Sequence, residues 1–187
     1  IMINIIYAVG LNLILGVAGQ FSLGHAGFIA IGSYSGAILG KMMNGLPGLF
    51  AGMAVGVLIS VVIAFLVGYP TFLLKGDYLA IATLGVAEII RVAVTNMKIT
   101  NGAAGISGVP LTNTWTITYI VLVLTTILIL NYTFSSAGRA TYAVLQDEIA
   151  AESMGVQVTK YKILAFVLGA ATASIGGTLS ATTLGAV

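Results

Sequence analysis

Glu88 and Arg91 are charged residues in an otherwise apolar run, 78–96. They stand three positions apart, so on a helix they share one face. Each costs about 2.5–3.5 kcal/mol at the centre of a bilayer, and the pair is therefore expected to face protein or water and not lipid. Two readings are open: the lining of a polar route across a membrane, or an internal ion pair that fixes helix packing. A second group is Gln20, Ser22, Gly24 and His25, within the break GQFSLGH between two apolar runs. Glycine there permits unusual backbone angles. Irregular backbone at membrane depth persists only inside protein or beside water. Free peptide groups in such a broken helix can bind polar or zwitterionic solutes. A plain surface turn is the competing reading. His25 alone reads as a hydrogen-bonded structural residue in preference to a proton relay.

The third candidate is the polar insert SSAGRATYAVLQDEIAAESMGVQVTKYKILAF, which starts at Ser135. It holds half of the chain's charged residues: Arg139, Asp147, Glu148, Glu152, Lys160 and Lys162. A helix is expected from Gln146 to Met154, with Glu148 and Glu152 on one face by their i,i+4 spacing. Ala150, Ala151 and Met154 would form a small apolar patch, and Gly155 would stop the helix. Such a helix suits insertion into a groove on a partner, with Arg139, Lys160 and Lys162 anchoring its flanks at lipid headgroups. A solvated interfacial loop is the plainer alternative.

No catalytic constellation accompanies these groups. The single His has no carboxylate near it in sequence, and the absence of Cys excludes a thiolate metal site and a catalytic thiol. Gly40-Lys41-Met42 lacks the spacing of a phosphate loop. The sequence calls for no cofactor, no metal and no nucleic acid. If ATP drives any process here, another chain must bind it.

The elements that position these residues follow from composition. The chain is 59% hydrophobic and 6% charged, against about 25% charged in soluble domains. That identifies an integral membrane protein of helical, not barrel, type, because the apolar runs are long and do not alternate. About six segments are expected: 1–18, 26–40, 49–69 between Pro47 and Pro70, 78–96, 115–134, and one beginning at Ile163. The fold class is thus an all-α transmembrane bundle. Counting Lys and Arg in short loops puts Lys75, Arg139, Lys160 and Lys162 in the cytoplasm, with Lys41, Lys98 and the Gly-rich loop 100–114 outside. That loop reads as an outer gate, a docking surface or a mobile connector. The parity before Lys41 stays open. Small residues recur at i+4 in three ladders: Gly32, Gly36 and Gly40; Gly52 and Gly56; Gly169, Ala173, Gly177 and Ala181. These are read as helix-packing surfaces. Both ends fall inside apolar runs, which reads as part of a longer protein.

Four stretches carry a resemblance: GLNLILGVAGQFSLGHAGFIAIGSY from Gly10, KGDYLAIATLGVAEIIR from Lys75, NGAAGISGVP from Asn101, and GRATYAVLQDEIAAESMGVQVTKYKILAF from Gly138. The chain resembles the LivM-type membrane subunits of ABC importers for branched-chain amino acids. The resemblance makes residues 1–187 a partial permease domain and 135–162 an EAA-like cytoplasmic coupling loop. Ala150, Ala151 and Gly155 fit the Glu-Ala-Ala-x-x-x-Gly core, with Ile149 in the Glu position and Asp147, Glu148 and Glu152 around it. The resemblance also implies a LivH-type permease partner, two cytoplasmic ATPase subunits and an extracytoplasmic substrate-binding protein, in a bacterial or archaeal cytoplasmic membrane. An importer for amides or urea shares that architecture. An ion- or proton-coupled secondary transporter using Glu88, Arg91 and the 19–25 break is the alternative, and a membrane scaffold is a third class.

Overall fold

A computed structural model of the chain describes residues 1–43, 45–72, 77–100 and 102–187. Lys75 and Asn101 lie outside them. The described residues form helices α1 (Met2–Asn12), α2 (His25–Met42), α3 (Leu46–Thr71), α4 (Asp77–Asn96), α5 (Trp115–Phe134), α6 (Ser136–Gln146), α7 (Glu148–Ser153) and α8 (Val158–Leu184). Among the described residues no strand forms, and a single antiparallel bridge joins Ser107 to Ala186. Among the described residues four helices are long and apolar enough to cross a membrane: α3, α4 from Tyr78, α5 and α8. A shorter apolar helix covers Met2–Val17, and α2 has 18 residues, about 27 Å at 1.5 Å per residue.

The bundle has two ends. At one, Leu145 of α6 packs where a side chain on Gly19 would sit, and Phe65 and Tyr69 of α3 line one cavity with Glu152, Gly155 and Lys160. At the other, Lys41 and Met42 of α2 stand by Ile99 and Ser107, and Ile1 and Met2 by Asn113 and Trp115. The first is the insert end, the second the loop end. The contact between Gly19 and Leu145 puts the break at residues 19–24 at the insert end.

α8 occupies the centre, packing most extensively on α2 and α3. The three small-residue ladders are the reason. A Cβ on Gly32 would overlap the Ser174 carbonyl, and one on Gly177 would overlap that of Ile29. Backbone therefore meets backbone, and hydroxyls bridge the helices. Thr178 Oγ1 donates to the Gly32 carbonyl at 2.9 Å, Ser33 Oγ to that of Gly177 at 3.1 Å, and Ser35 Oγ to that of Gly52 at 3.2 Å. Near the insert end, Phe166 holds Phe28 and Phe72 edge-on, at 5.5 and 5.3 Å between ring centres.

Several boundaries differ from the sequence reading. α8 starts at Val158 and not at Ile163, because Lys160 and Lys162 can lead their charges out of the first turns while the backbone stays helical. Pro70 lies inside α3. The helix still closes, through the Phe72 N–H to the Gly68 carbonyl at 2.9 Å. The loop at 102–114 is stitched to the end of α8 and is not a free connector. Ile106 and Val187 exchange backbone hydrogen bonds of 3.2 and 3.0 Å, and the Asn113 amide donates to the Leu179 carbonyl and to Thr183 Oγ1.

Candidate functional site

The break forms because α1 ends in a wider π-helical turn, Leu13–Val17. Gly19 then takes φ +65°, and the Gln20 N–H reaches back to the Ile14 carbonyl at 3.0 Å. From there the chain runs without helix to Gly24, and its side chains alternate. Gln20, Ser22 and His25 are buried, while Phe21 and Leu23 are exposed. The Leu23 N–H donates to Thr83 Oγ1 at 3.1 Å, and the Gly24 N–H to Ser22 Oγ at 3.3 Å. A Cβ on Gly24 would stand 3.0 Å from the Thr83 carbonyl oxygen, so glycine lets α2 begin against α4. The polar side chains of the turn thus point inward, and its apolar ones face out.

Those side chains are underused. Both amide atoms of Gln20 and both ring nitrogens of His25 are buried without a hydrogen-bond partner. The Tyr7 backbone lies beside the His25 ring. A buried unpaired polar group costs about 1–3 kcal/mol, so four such atoms in one short segment mark a place that can receive a polar partner. Sequence reasoning missed Thr83, which is buried and ties the break to α4. The available signal was a lone hydroxyl on the inward side of an apolar helix.

Glu88 and Arg91 do not turn into the chain's own interior. Their side chains are 57% and 65% exposed. They pair with each other as a two-pronged fork, Nε to Oε2 at 2.9 Å and Nη2 to Oε1 at 2.5 Å. The reason is the helix's apolar stripe. Leu79, Ala80, Thr83 and Ile90 take the buried side, and helical periodicity swings Glu88 and Arg91 to the other. The structure thus separates the two candidate polar groups, with the break on the inner side of α4 and the pair on its outer side.

The insert holds two helices where the sequence reading placed one. Gln146 ends α6 and does not begin the next helix. Ser135 caps α6 through Gly138 N–H at 3.2 Å, and Gly138, Thr141 and Val144 bury its inner face. Asp147 then takes extended backbone and caps α7, accepting from the N–H groups of Ile149 and Ala150 at 2.9 and 3.1 Å. Gly155 follows α7 at φ +84°, a conformation that favours glycine. The expected patch of Ala150, Ala151 and Met154 divides: Ala151 is buried, while Ala150 and Met154 face out with Ile149, which is 81% exposed. Glu152 is also exposed, and Glu148 forms an ion pair with Lys162 of α8. Lys162 is thus engaged with α7, and Arg139 donates to the Phe134 carbonyl at 3.0 Å.

Long apolar helices and close small-residue contacts define a multi-pass helical membrane protein. Comparison with known proteins narrows this class. Residues 1–187 match the family described as "Branched-chain amino acid transport system / permease component", and the chain belongs to that family. It is 35% identical, over 221 aligned residues, to the high-affinity branched-chain amino acid transport system permease protein LivM of Salmonella typhimurium. It is 34% identical, over the same length, to the protein of that name from Escherichia coli. Each alignment covers 100% of this chain and 52% of the relative, so the chain spans about half the length of the curated relatives it matches. No solved structure matches it.

Proposed function

We propose that the chain is a membrane permease subunit of an ATP-driven ABC importer for branched-chain amino acids. The observation that carries this reading is the family match along all 187 residues, together with the printed function of the two LivM relatives. In this reading α1 with its π-helical turn, α2, α3, α4, α5 and α8 are six crossings of the cytoplasmic membrane. Their alternation between the two ends supports it. The insert end is cytoplasmic. A LivH-type partner completes the pore, two ATPase subunits hydrolyse ATP below it, and a binding protein delivers solute from outside. This chain carries out no covalent chemistry.

α7 is then the coupling helix. Its outward Ile149, Ala150 and Met154 supply the apolar contact for an ATPase groove. Asp147 and Gly155 fix its two ends, and Ala151 seats it on the bundle. Glu148 and Glu152 add charge, and the Glu148–Lys162 pair ties α7 to the base of α8. Closure of the ATPase dimer would move α7, and α8 would carry that movement to α2 and α3 through contacts too close to slip. Gln20, Ser22, Gly24 and His25 would form the cytoplasmic mouth of the route. Glu88 and Arg91 would line its wall opposite the partner subunit. The unpaired His25 and Gln20 also suit a proton- or ion-coupled secondary transporter, and one assay separates the two. Reconstituted full complex should take up leucine only with ATP and loaded binding protein; uptake on an ion gradient alone would overturn the importer reading. Glu148→Lys or Gly155→Arg should abolish copurification of the ATPase subunits. Retention in both variants would remove α7 from the coupling role.

A further inference from the structure

The outer face of α4 poses a solvation problem that the described residues do not solve. Glu88 and Arg91 are the twelfth and fifteenth of the helix's 20 residues, roughly 16 and 21 Å along it at 1.5 Å per residue. That depth is in the span, not at its rim. Both side chains are largely exposed, and among the described residues each has only the other as a charged partner. Lipid cannot cover them, because intramembrane charges face protein or a water-filled cavity.

We infer that this face is a binding site for a zwitterionic α-amino acid, with Arg91 taking the carboxylate and Glu88 the ammonium group. The inference rests on the importer reading above and names what its α4 wall recognises. Three observations favour a zwitterion. The resting pair is a neutral fork, and a zwitterion can replace each half of it with a charge of the correct sign. The exchange brings no net charge into the membrane, and both halves stay paired. A simple cation or anion would leave one of them without a partner, which is the costly case. Arg is also suited to hold a carboxylate by two parallel hydrogen bonds. Second, Gly85 stands one turn before Glu88, on the same side, and a Cβ there would meet nothing within 4 Å. The carboxylate is therefore not walled in, and the ligand's backbone has a place to approach. Third, Ile81, Leu84, Ile89 and Val92 are exposed around the pair, an aliphatic surround of the kind an aliphatic side chain needs. The partner permease would close the site from the other side.

The test uses the assembled complex in nanodiscs without binding protein, with radiolabelled L-leucine as probe. Leucine should bind. Leucinamide, which lacks the carboxylate, and N-acetylleucine, which lacks the ammonium group, should compete at least tenfold less well than unlabelled leucine. The double variant Glu88→Gln/Arg91→Gln removes both charges together, so neither is stranded, and it should assemble but bind leucine at least tenfold more weakly. The swap Glu88→Arg/Arg91→Glu keeps the fork and the helix packing, and it should bind at least tenfold more weakly because the polarity is reversed along the axis. Wild-type affinity in either variant, or competition by either analogue as strong as that of unlabelled leucine, would show a purely structural ion pair between subunits and overturn the proposal. Failure of the importer reading would look different: wild-type complex would show no ATP-dependent leucine uptake at all.

Discussion

α8 and α4 are both membrane-length helices, yet they treat polarity in opposite ways. In its most apolar window α8 is 67% buried and α4 only 22%. α8 carries no charge in its inner half, where the polar side chains are Ser and Thr, and hydroxyls such as Thr178 are bonded to neighbouring backbone while that of Ser174 is buried without a bond. α4 carries a full ion pair and leaves it on the outside. The difference separates two jobs. Polarity that is consumed within the chain holds helices together. Polarity left exposed on a membrane-length helix needs a partner from elsewhere, which is what the site proposed on α4 would supply.

The largest expected effect breaks the α8 side. Gly32→Val forces a side chain into the Ser174 carbonyl, which is backbone and cannot rotate away. The cost should be about 3 kcal/mol or more, at the upper end of overpacking, seen as loss of a monodisperse peak in fluorescence size-exclusion chromatography. Gly85→Val on α4 is the matched control. It meets open space and should stay within about 0.5 kcal/mol of wild type. Equal damage from both would erase the contrast between the helices.

The same inside–outside division extends to α7. Ile149→Asp places a charge on its outward side and should lower ATPase retention in pull-downs about tenfold, with the fold intact by circular dichroism. Unchanged retention would return Ile149 to the status of an ordinary exposed residue. A smaller effect sharpens the α8 side: Thr178→Val deletes the hydroxyl bridge to Gly32 and should cost about 0.6–1.7 kcal/mol, the range for interhelical hydrogen bonds in membranes, read as a lower thermal midpoint. The smallest should come from Lys162→Met. Its partner Glu148 is nearly half exposed, so the pair should contribute under about 1 kcal/mol to stability. Its effect should appear instead as fewer solute molecules moved per ATP. A stability loss well beyond that figure would mean that the strut holds the fold and does not merely link α7 to α8.

Much of this was legible in the chain itself. Apolar runs of membrane length and the scarcity of charge fix a helical membrane protein, since only helices and closed barrels satisfy their own hydrogen bonds in lipid and long runs without alternation exclude a barrel. The i+4 glycine ladders announce close helix contacts, and Gly155 announces the end of α7. The four matched stretches carry the family. Spacing alone could not separate α6 from α7, because Asp147 serves as both an ordinary helix residue and an N-cap until its backbone angles are known.

What only the tertiary structure decided concerns direction and partners. A helical repeat says that Glu88 and Arg91 share a face, but not which way that face turns; the packing of Leu79, Thr83 and Ile90 on the bundle turned it outward. Likewise the residues of the break name donors and acceptors, but burial depends on what lies beside them. Contact with Leu145 and Thr83 placed the break at the insert end and left Gln20 and His25 enclosed without partners. Sequence periodicity is local and fixes which residues move together. Orientation and burial come from contacts between residues far apart in the chain, here as far as 146 positions between Gly32 and Thr178.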